Sequence, residues 1–432
     1  MVPLGTLATF VQYGISERAN TAGLGVPMIR MNNLQANGWD LSDLKHIELG
    51  DADLERYRLL KGDLLFNRTN SKELVGKCEA FNEDGDWVFA SYLIRVRLDT
   101  EQAIPQFVAE FLNSPAGRIQ IDQVSRQVAG MSNVNAEELR DLLIPLPGIP
   151  EQKRLLAELD AARAGRDRAL AEADAIAPHL EIEIGELLGL RFFVTDARNT
   201  YAIKANAVRF SRLDAEFHHP RYAQAIDTLH SANGDVVALD QILLDIAGGA
   251  TPKAKDESLY TTSGVKFLRI LNVKPNRLDY SDLNHIQDEV NDGLLRRSQL
   301  DENDVLMTIT GRVGTAAVVS ADNLPANINQ HIVRMRIDSK RCLPKYLAAY
   351  LNTRIGTLLS NRPVSGGTRV ALDYGSIRQI PVVLPDRAVQ EKVVCAVDDA
   401  RAKEATLRTH AETVWQQARE RFEQQLLQGT AP

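Results

Sequence analysis

Two long stretches of the chain have the spacing of apolar residues that is typical of an amphipathic helix. The first runs from Ile144 to about Leu188, and the second runs from Ile380 to about Leu427. Each opens on a strand-like apolar run that ends in Leu-Pro, followed within a few residues by Glu-Gln-Lys or Gln-Glu-Lys. Pro147 matches Pro385, 238 positions later. The pattern therefore predicts one strand–helix junction that occurs twice.

Both predicted helices carry a seam with alternating steps of four and three residues, which is the heptad spacing of helices packed on each other. The seam positions are Leu155, Leu159, Ala162, Arg166, Ala169, Ala173, Ile176 and Leu180 in the first helix, and Val393, Val397, Ala400, Glu404, Leu407, Ala411, Val414 and Ala418 in the second. Since each helix leaves its domain in the same way, pseudo-twofold pairing predicts an antiparallel pair. Packing of each helix on its own domain is the alternative. Pro178 is expected to bend or weaken the first helix.

The repeat extends into the sequence ahead of each helix. Short β-branched runs at 92–98 and 331–337 alternate in the manner of strands, and segments 105–113 and 344–352 have helical spacing. We therefore predict an α+β fold, with two pseudo-repeated domains separated by two long antiparallel coiled-coil-like helices. The predicted boundaries are 1–149 for the first domain, 150–188 for the first helix, 189–238 for a connector and lead-in segment without a counterpart in the first half, 239–389 for the second domain and 390–428 for the second helix.

Composition and charge narrow the class of protein. The chain has 432 residues, of which 44% are hydrophobic and 25% charged, and its formal net charge is −7. No apolar run approaches the length of a membrane span. The three cysteines, Cys78, Cys342 and Cys395, lack CxxC spacing, which favours free thiols in a reducing compartment and a cytoplasmic protein. The predicted first domain is acidic and the second is slightly basic, so we expect the isolated chain to bind nucleic acid only modestly.

The sequence lacks the motifs of several catalytic classes. It has no Asn/Asp-Pro-Pro-aromatic motif of an adenine methyltransferase and no Walker A motif, since the closest stretch, Gly311 to Thr315, lacks the Lys-Ser/Thr ending. That stretch is either a turn that approaches a DNA backbone or a purely structural turn. The adjacent His218 and His219 have no convincing third ligand nearby, so no metal site is predicted.

Several motifs carry a resemblance to a known family. They are the junctions LPGIPEQKRLL and LPDRAVQEKVV, GGATPK from Gly248, TITGRVGTAAVV from Thr308, NINQHIVRMRI from Asn327 and SGGTRVALDYGSIRQIPVVLP from Ser365. With these motifs the chain resembles the specificity subunit of type I restriction–modification systems over essentially its whole length. The first half departs from the pattern, because Tyr13-Gly14-Ile15 replaces the Gly-Gly-x-Thr-Pro turn and residues 67–77 diverge from TxxGxxG.

The resemblance implies a non-catalytic DNA-recognition subunit within a complex. Each target recognition domain would read one half of a split, asymmetric target in double-stranded DNA. The helices would set the gap between the halves and dock two adenine-N6 methyltransferase subunits, with a restriction/translocase subunit as an optional further partner and no membrane. This chain would bind no cofactor, whereas S-adenosylmethionine, and ATP and Mg²⁺ for restriction, are expected on the partner subunits. The alternatives are an enzyme in which one domain has acquired nuclease or transferase activity, and a defence-system scaffold that keeps the fold without reading DNA.

Candidate DNA contacts come from loops rich in side chains that bind phosphates and base edges. In the first domain they are Asn67, Arg68, Thr69, Asn70, Lys72 and Lys77, with a second cluster of Arg126, Gln127, Ser132 and Asn133. In the second domain they are Thr251, Lys253, Lys255, Thr310, Arg312, Gln330, His331, Ser365, Thr368 and Arg369. For each residue alone, an ordinary solvated loop side chain is the alternative. The clusters gain weight because they occupy corresponding places in the two halves.

Overall fold

The computed structural model describes residues 1–35, 38–72, 74–128, 131–191, 200–204, 215–252, 259–362 and 371–428. The chain divides into two compact units. Unit 1 is Met1–Leu170 together with Arg408–Pro432, and unit 2 is Ala171–Leu407. Each unit therefore contains one part of each long helix.

Unit 1 combines short strands with short helices. Its strands are β1 (Val2–Pro3), β2 (Ala8–Tyr13), β3 (Val26–Ile29), β4 (Leu34–Gln35), β5 (Gly38–Trp39), β6 (Lys45–Ile47), β7 (Leu64–Asn67), β8 (Thr69–Asn70), β9 (Cys78–Ala80), β10 (Val88–Phe89), β11 (Leu93–Leu98), β12 (Arg126–Val128), β13 (Met131–Asn133) and β14 (Leu143–Ile144). Its helices are α1 (Leu4–Leu7), α2 (Asp51–Tyr57), α3 (Pro105–Leu112), α4 (Pro115–Val124), α5 (Ala136–Arg140) and the first part of α6 (Ile149–Leu187), with a 3₁₀ turn at Met31–Asn33.

Unit 2 repeats most of these elements. Its strands are β15 (Asp235–Ala238), β16 (Leu243–Gly248), β17 (Tyr260–Thr261), β18 (Val265–Leu268), β19 (Val273–Lys274), β20 (Arg277–Leu278), β21 (Asn284–Ile286), β22 (Val305–Thr308), β23 (Ala316–Val318), β24 (Ala326–Ile328), β25 (Ile332–Ile337) and β26 (Pro381–Leu384). Its helices are α7 (Pro220–Leu229), α8 (Asp288–Asp292), α9 (Pro344–Asn352), α10 (Arg354–Asn361), α11 (Tyr374–Arg378) and the first part of α12 (Arg387–Gln428). The 3₁₀ turns are Glu216–His218, Leu239–Gln241, Ile270–Asn272, Arg296–Ser298 and Ala321–Asn323.

The central sheets of the two units have the same topology. The order is β2–β11–β7–β9 in unit 1 and β16–β25–β22–β23 in unit 2. The central strands, LIRVRL and IVRMRI, are buried at all positions but one, because each lies between two neighbours and is covered by the core. The second sheets also match, since β3 pairs in parallel with β10 and β18 pairs in parallel with β24. The predicted α+β fold and its internal repeat are therefore confirmed.

Two arginines in each central strand share one buried aspartate. Arg97 donates from Nε and Nη2 to the carboxylate of Asp63 at 2.7 and 2.9 Å. In the same place of unit 2, Nε of Arg336 donates to Asp304 at 3.3 Å. The first arginine of each strand lies deeper, and its guanidinium is 3.6 Å from Asp63 in unit 1. Because an unpaired charge is costly to bury, these repeated pairs explain how polar residues persist in a central strand.

The repeated Gln of the strand–helix junction has a structural reason. Gln152 is fully buried, and its Oε1 accepts a hydrogen bond from Ile104 N at 2.8 Å. Its Nε2 donates to the carbonyl oxygens of Gln102 at 2.9 Å and Pro147 at 2.8 Å. Gln390 makes the equivalent three bonds in unit 2. One amide thus ties the start of each long helix to the loop before α3 in unit 1 or before α9 in unit 2.

The long helices pair in an antiparallel manner within unit 1. Near the start of α6, Arg154 Nη2 donates to Gln425 Oε1 at 2.9 Å. Further along, the guanidinium of Arg166 lies over the ring of Trp415, 4.9 Å from its centroid. Contacts that advance along α6 while they recede along α12 define an antiparallel pair, as predicted. In unit 2 the later part of α6 meets the earlier part of α12, where Lys403 and Glu172 form an ion pair at 2.9 Å.

The predicted heptad seam is confirmed by burial. Every seam position in both helices is buried or half-buried, including Arg166 and Glu404. Helix α6 continues through Pro178 to Leu187. No helix in the described part of the chain has both the length and the apolarity to cross a membrane.

The predicted connector, 189–238, contributes its last residues to unit 2. Strand β15 pairs with β26 through Val237 and Val382, as β1 pairs with β14 through Val2 and Ile144. The repeat therefore begins at β15, and the expectation that this whole segment lacks a counterpart was wrong at its end. Helix α7 in the same segment buries Ala225 in the core of unit 2.

Candidate nucleic-acid interface

A loop follows β7 in unit 1 and β22 in unit 2, and equivalent backbone hydrogen bonds close both loops. In unit 1, Asn67 N donates to Lys77 O at 2.8 Å and Gly76 N donates to Asn67 O at 2.7 Å. In unit 2, Thr308 N donates to Thr315 O and Gly314 N donates to Thr308 O, both at 2.9 Å. Gly76 and Gly314 have φ values of 82° and 92°, which favour glycine. The first-domain loop therefore keeps the closing glycine although its sequence diverges from TxxGxxG.

The two predicted clusters of the first domain come together in one small sheet. Its order is β12–β13–β8, with Ser132 opposite Asn70 and Asn133 opposite Thr69. The Thr69 hydroxyl donates to Asn133 Oδ1 at 2.7 Å. Arg126 and Gln127 lie on the outer strand, and their side chains are outside the described residues. Residues that are more than 50 positions apart in the sequence thus form one polar surface.

Not all of these side chains face solvent. Asn67 is fully buried, and its Nδ2 donates to Leu74 O at 3.2 Å, so it shapes the loop and is not exposed to a base edge. Ser132 is also buried. Lys72 is exposed, whereas Lys77 is half-buried, and this burial lowers the pKa of its ammonium group. Arg68, Thr69, Asn70 and Asn133 are half-buried at the surface of the small sheet.

Four predicted residues of the second domain converge from three loops. The Thr310 hydroxyl lies 2.8 Å from His331 Nδ1, and Gln330 Nε2 lies 3.1 Å from His331 Nε2. The Thr251 hydroxyl donates in turn to Gln330 Oε1. The result is a hydrogen-bonded row of hydroxyl, amide and imidazole groups at one edge of the sheet.

Arg312 lies at the exposed tip of the same loop. Its carbonyl oxygen accepts from the buried Thr308 hydroxyl, which holds the backbone, while its side chain is exposed. Lys253, Lys255, Ser365, Thr368 and Arg369 lie outside the described residues. Ala371, which follows the last three of them, forms a β-bridge with Thr310. That bridge places Ala371 next to the Thr310 loop.

Two tyrosines of unit 1 were missed by sequence reasoning. Tyr13 lies under the guanidinium of Arg68, whose Cζ is 4.9 Å from the ring centroid. Tyr92 is 49% exposed and precedes β11 as His331 precedes β25. The match between SYLIRVRLD and QHIVRMRID in the sequence could have identified Tyr92, because it aligns Tyr92 with His331.

The described residues contain no group of three or more His, Cys, Asp or Glu side chains placed to hold a metal ion. His219, one of the two adjacent histidines, caps α7 instead, since its Nδ1 accepts from Arg221 N at 3.2 Å.

Comparisons with known proteins agree with these observations. No family model matches the chain. The type I restriction enzyme EcoKI specificity subunit of Escherichia coli (strain K12) is 25% identical over 252 residues, which are 58% of this chain and 50% of that protein. The EcoBI specificity subunit of Escherichia coli is 23% identical over 269 residues, covering 62% and 53% of the two chains. The matches thus span about half the length of these curated relatives.

A solved structure extends the likeness to nearly the whole chain. A chain in a structure described as showing complex assembly and conformational transition of a type I R-M system has a TM-score of 0.58 at 16% identity. The match covers 99% of this chain and 96% of that one. At this identity the likeness establishes the fold. In its sequence matches and its fold, the chain is similar to the specificity subunits of type I restriction–modification systems.

Proposed function

We propose that the chain is the DNA-recognition subunit of a type I restriction–modification complex, and that each repeated domain reads one half of a split, asymmetric target in double-stranded DNA. The observation that carries this proposal is the pair of equivalent polar surfaces. In each repeat, side chains from separated loops meet beside the loop closed by Gly76 or Gly314. A chain with two such surfaces of different composition suits two half-sites of different sequence.

The groups on these surfaces favour recognition over catalysis. They are guanidinium, hydroxyl, amide and imidazole groups, which bind phosphate oxygens and base edges. We therefore assign no reaction to this chain. Methylation would take place on two partner adenine-N6 methyltransferase subunits, which would hold S-adenosylmethionine. A restriction/translocase subunit, using ATP and Mg²⁺, would be a further partner.

The paired helices are proposed to dock the methyltransferases and to set the gap between the half-sites. Their seams are covered by each other, while charged residues such as Lys153, Arg401 and Glu412 remain exposed on the outer faces. Partner binding is also expected on electrostatic grounds. Residues 1–149 carry 14 Lys and Arg against 20 Asp and Glu, so this part of unit 1 should repel a duplex except at its recognition surface.

The test is an electrophoretic shift of duplex DNA with and without the cognate methyltransferase. Specific binding should appear, or strengthen greatly, when the partner is present. Arg312→Ala should weaken binding of all sequences and reduce the salt dependence by about one counterion, as expected for a lost phosphate contact.

Lys340→Ala is the matched control for Arg312→Ala. It removes an equal charge from an exposed position in the same unit. Lys340 follows the C-terminal end of β25, whereas His331 precedes its N-terminal end. Binding by this variant should equal that of the wild type. Failure of the wild-type complex to bind any duplex would contradict the proposal and favour a scaffold that does not read DNA.

A further inference from the structure

The internal repeat identifies equivalent positions on the two recognition surfaces. In unit 1, Arg68 N donates to Tyr92 O at 3.0 Å. In unit 2, Ile309 N donates to His331 O, also at 3.0 Å. The two bonds lie between the same pair of strands, just beyond the ladders of β7 with β11 and of β22 with β25. Tyr92 therefore occupies the place of His331, and Arg68 occupies the place of Ile309.

The chemistry at this shared position differs between the units. In unit 2 the polar side chains satisfy one another, because His331 uses both ring nitrogens on Thr310 and Gln330. Unit 1 has a cation and an exposed aromatic ring in place of Ile309 and His331. Such a difference is expected where two copies of one fold face different base sequences.

Arg68 is held in place from two directions. Its backbone is fixed on both sides, since its N–H reaches Tyr92 and its carbonyl oxygen accepts from Val134 N at 2.9 Å. Its guanidinium lies on the ring of Tyr13. That ring is itself anchored, because the Tyr13 hydroxyl accepts from Ala136 N at 2.9 Å. A stacked, planar guanidinium loses little freedom when it binds a further group.

The donors of Arg68 are largely unused. Among the described residues no carboxylate pairs with it, and its one hydrogen bond from the guanidinium, to Ser91 O, is long at 3.4 Å. Its Nε is enclosed without a partner. Arg95 and Arg97 in the adjacent strand are different, since both lie against Asp63. The arginines of the strand are therefore structural, whereas the guanidinium of Arg68 is oriented by Tyr13 and keeps N–H groups that no described carboxylate uses.

A cleft of about 390 Å³ lies beside Ser91, whose carbonyl oxygen accepts from the Arg68 guanidinium. Its lining includes Ser91 and Tyr92, the cations Arg18, Arg30 and Lys45, and the anion Glu17. The lining thus combines a majority of positive charges with an exposed aromatic side chain. These are the groups that bind phosphates and pack against bases.

We propose that Arg68 is the specificity-determining residue of the first domain, and that it reads a guanine through paired hydrogen bonds to O6 and N7. Tyr13 is a positioning residue for that contact, and Tyr92 packs against a neighbouring base from the position that His331 occupies in the second domain. Guanine is favoured because its major-groove edge presents two adjacent acceptors to the guanidinium fork. The inference rests on the proposed function and names the base that one half-site must contain.

The test is methylation of a randomised duplex library by the assembled complex, followed by sequencing of the methylated motif. Arg68→Lys keeps the charge but removes the fork. It should lower the preference for guanine at one position of one half-site by about 5- to 140-fold, equivalent to about 1–3 kcal/mol at 1.4 kcal/mol per decade, and leave the other half-site unchanged. Tyr13→Leu should lower the preference for the same guanine. His331→Ala should instead lower the base preference at a position in the other half-site.

Lys72→Ala is the matched control, because it removes an exposed cation from the same loop. It should lower methylation of all sequences without changing the motif. Arg68→Lys giving that same uniform loss, or a wild-type motif without guanine, would overturn the inference.

The two levels of failure are distinguishable. A wild-type complex without any sequence preference contradicts the proposed function, whereas a split motif that Arg68→Lys leaves intact contradicts only the role of Arg68. Co-purification with the methyltransferase establishes that each variant is folded. Unchanged tryptophan fluorescence adds the same check for the variants of unit 1, since all three tryptophans lie in that unit.

Discussion

Replacing Gln152 with alanine tests the structural reason for the repeated junction. The substitution leaves the Ile104 N–H and the carbonyl groups of Gln102 and Pro147 without their partner at a site where Gln152 is fully buried. The start of α6 would lose its tie to the loop ahead of α3. We expect unit 1 to be strongly destabilised.

The magnitude follows from the bonds lost. Each buried polar group left unpaired costs about 1–3 kcal/mol, and water entering the space of the deleted side chain restores part of that. Three such groups give a loss of about 4 kcal/mol in the free energy of unfolding. This is a large share of the roughly 5–15 kcal/mol that stabilises a typical domain.

Urea unfolding followed by tryptophan fluorescence measures this loss in the right place. Trp39, Trp87 and Trp415 all lie in unit 1, so their emission reports on that unit. Lys153→Ala, an exposed neighbour on the same helical turn, should change stability by no more than about 0.5 kcal/mol. Gln390→Ala removes the equivalent bonds in unit 2, and should lower stability measured by circular dichroism more than it shifts the fluorescence transition.

A stability loss for Gln152→Ala that is no larger than the loss for Lys153→Ala would contradict this expectation. That result would mean that the buried amide bonds contribute nothing net, and that the junction sequence is repeated for another reason.

Two further predictions concern pH and the helices. Burial raises the pKa of Glu79 to about 7, and this raised pKa means that the folded chain binds the proton more tightly than the unfolded chain. The free energy of unfolding should therefore fall by about 3 kcal/mol as pH rises from about 4.5 to 7. In urea titrations at pH 5 and 7.5, Glu79→Gln should remove this fall. An equal fall in the variant would contradict the prediction. Inserting one heptad into each helix, after Leu170 and after Leu407, adds about 10 Å to each helix. In the methylated motifs, the gap between the half-sites should lengthen by about three base pairs, and the half-site sequences should not change. Altered half-sites with an unchanged gap would be incompatible with a ruler.

The long-range organisation was predictable because periodicity is visible along the sequence. The heptad positions, such as Leu155 and Val393, need only a regular helix to come onto one face. The repeat was recognisable because both copies keep the same strand and junction patterns. Strand β1 was not recognised as the counterpart of β15, because a pairing of two residues has no period to detect.

The recognition surface was predictable only in part. Loop composition led to Thr310 and His331, which the structure brings together. It could not separate Asn67, which is buried and bonded to Leu74 O, from exposed neighbours, since a polar loop residue has the same sequence signature in either role. The stacking of Arg68 on Tyr13 joins residues far apart in the chain, and only the paired strands reveal it.

Mapping adenine methylation in host DNA, with and without the gene for this chain, shows whether the chain determines which sequence is methylated. We expect a split, asymmetric motif with two specified halves and a fixed gap, present only when the chain is present. A methylated motif that persists unchanged after the chain is removed would contradict it.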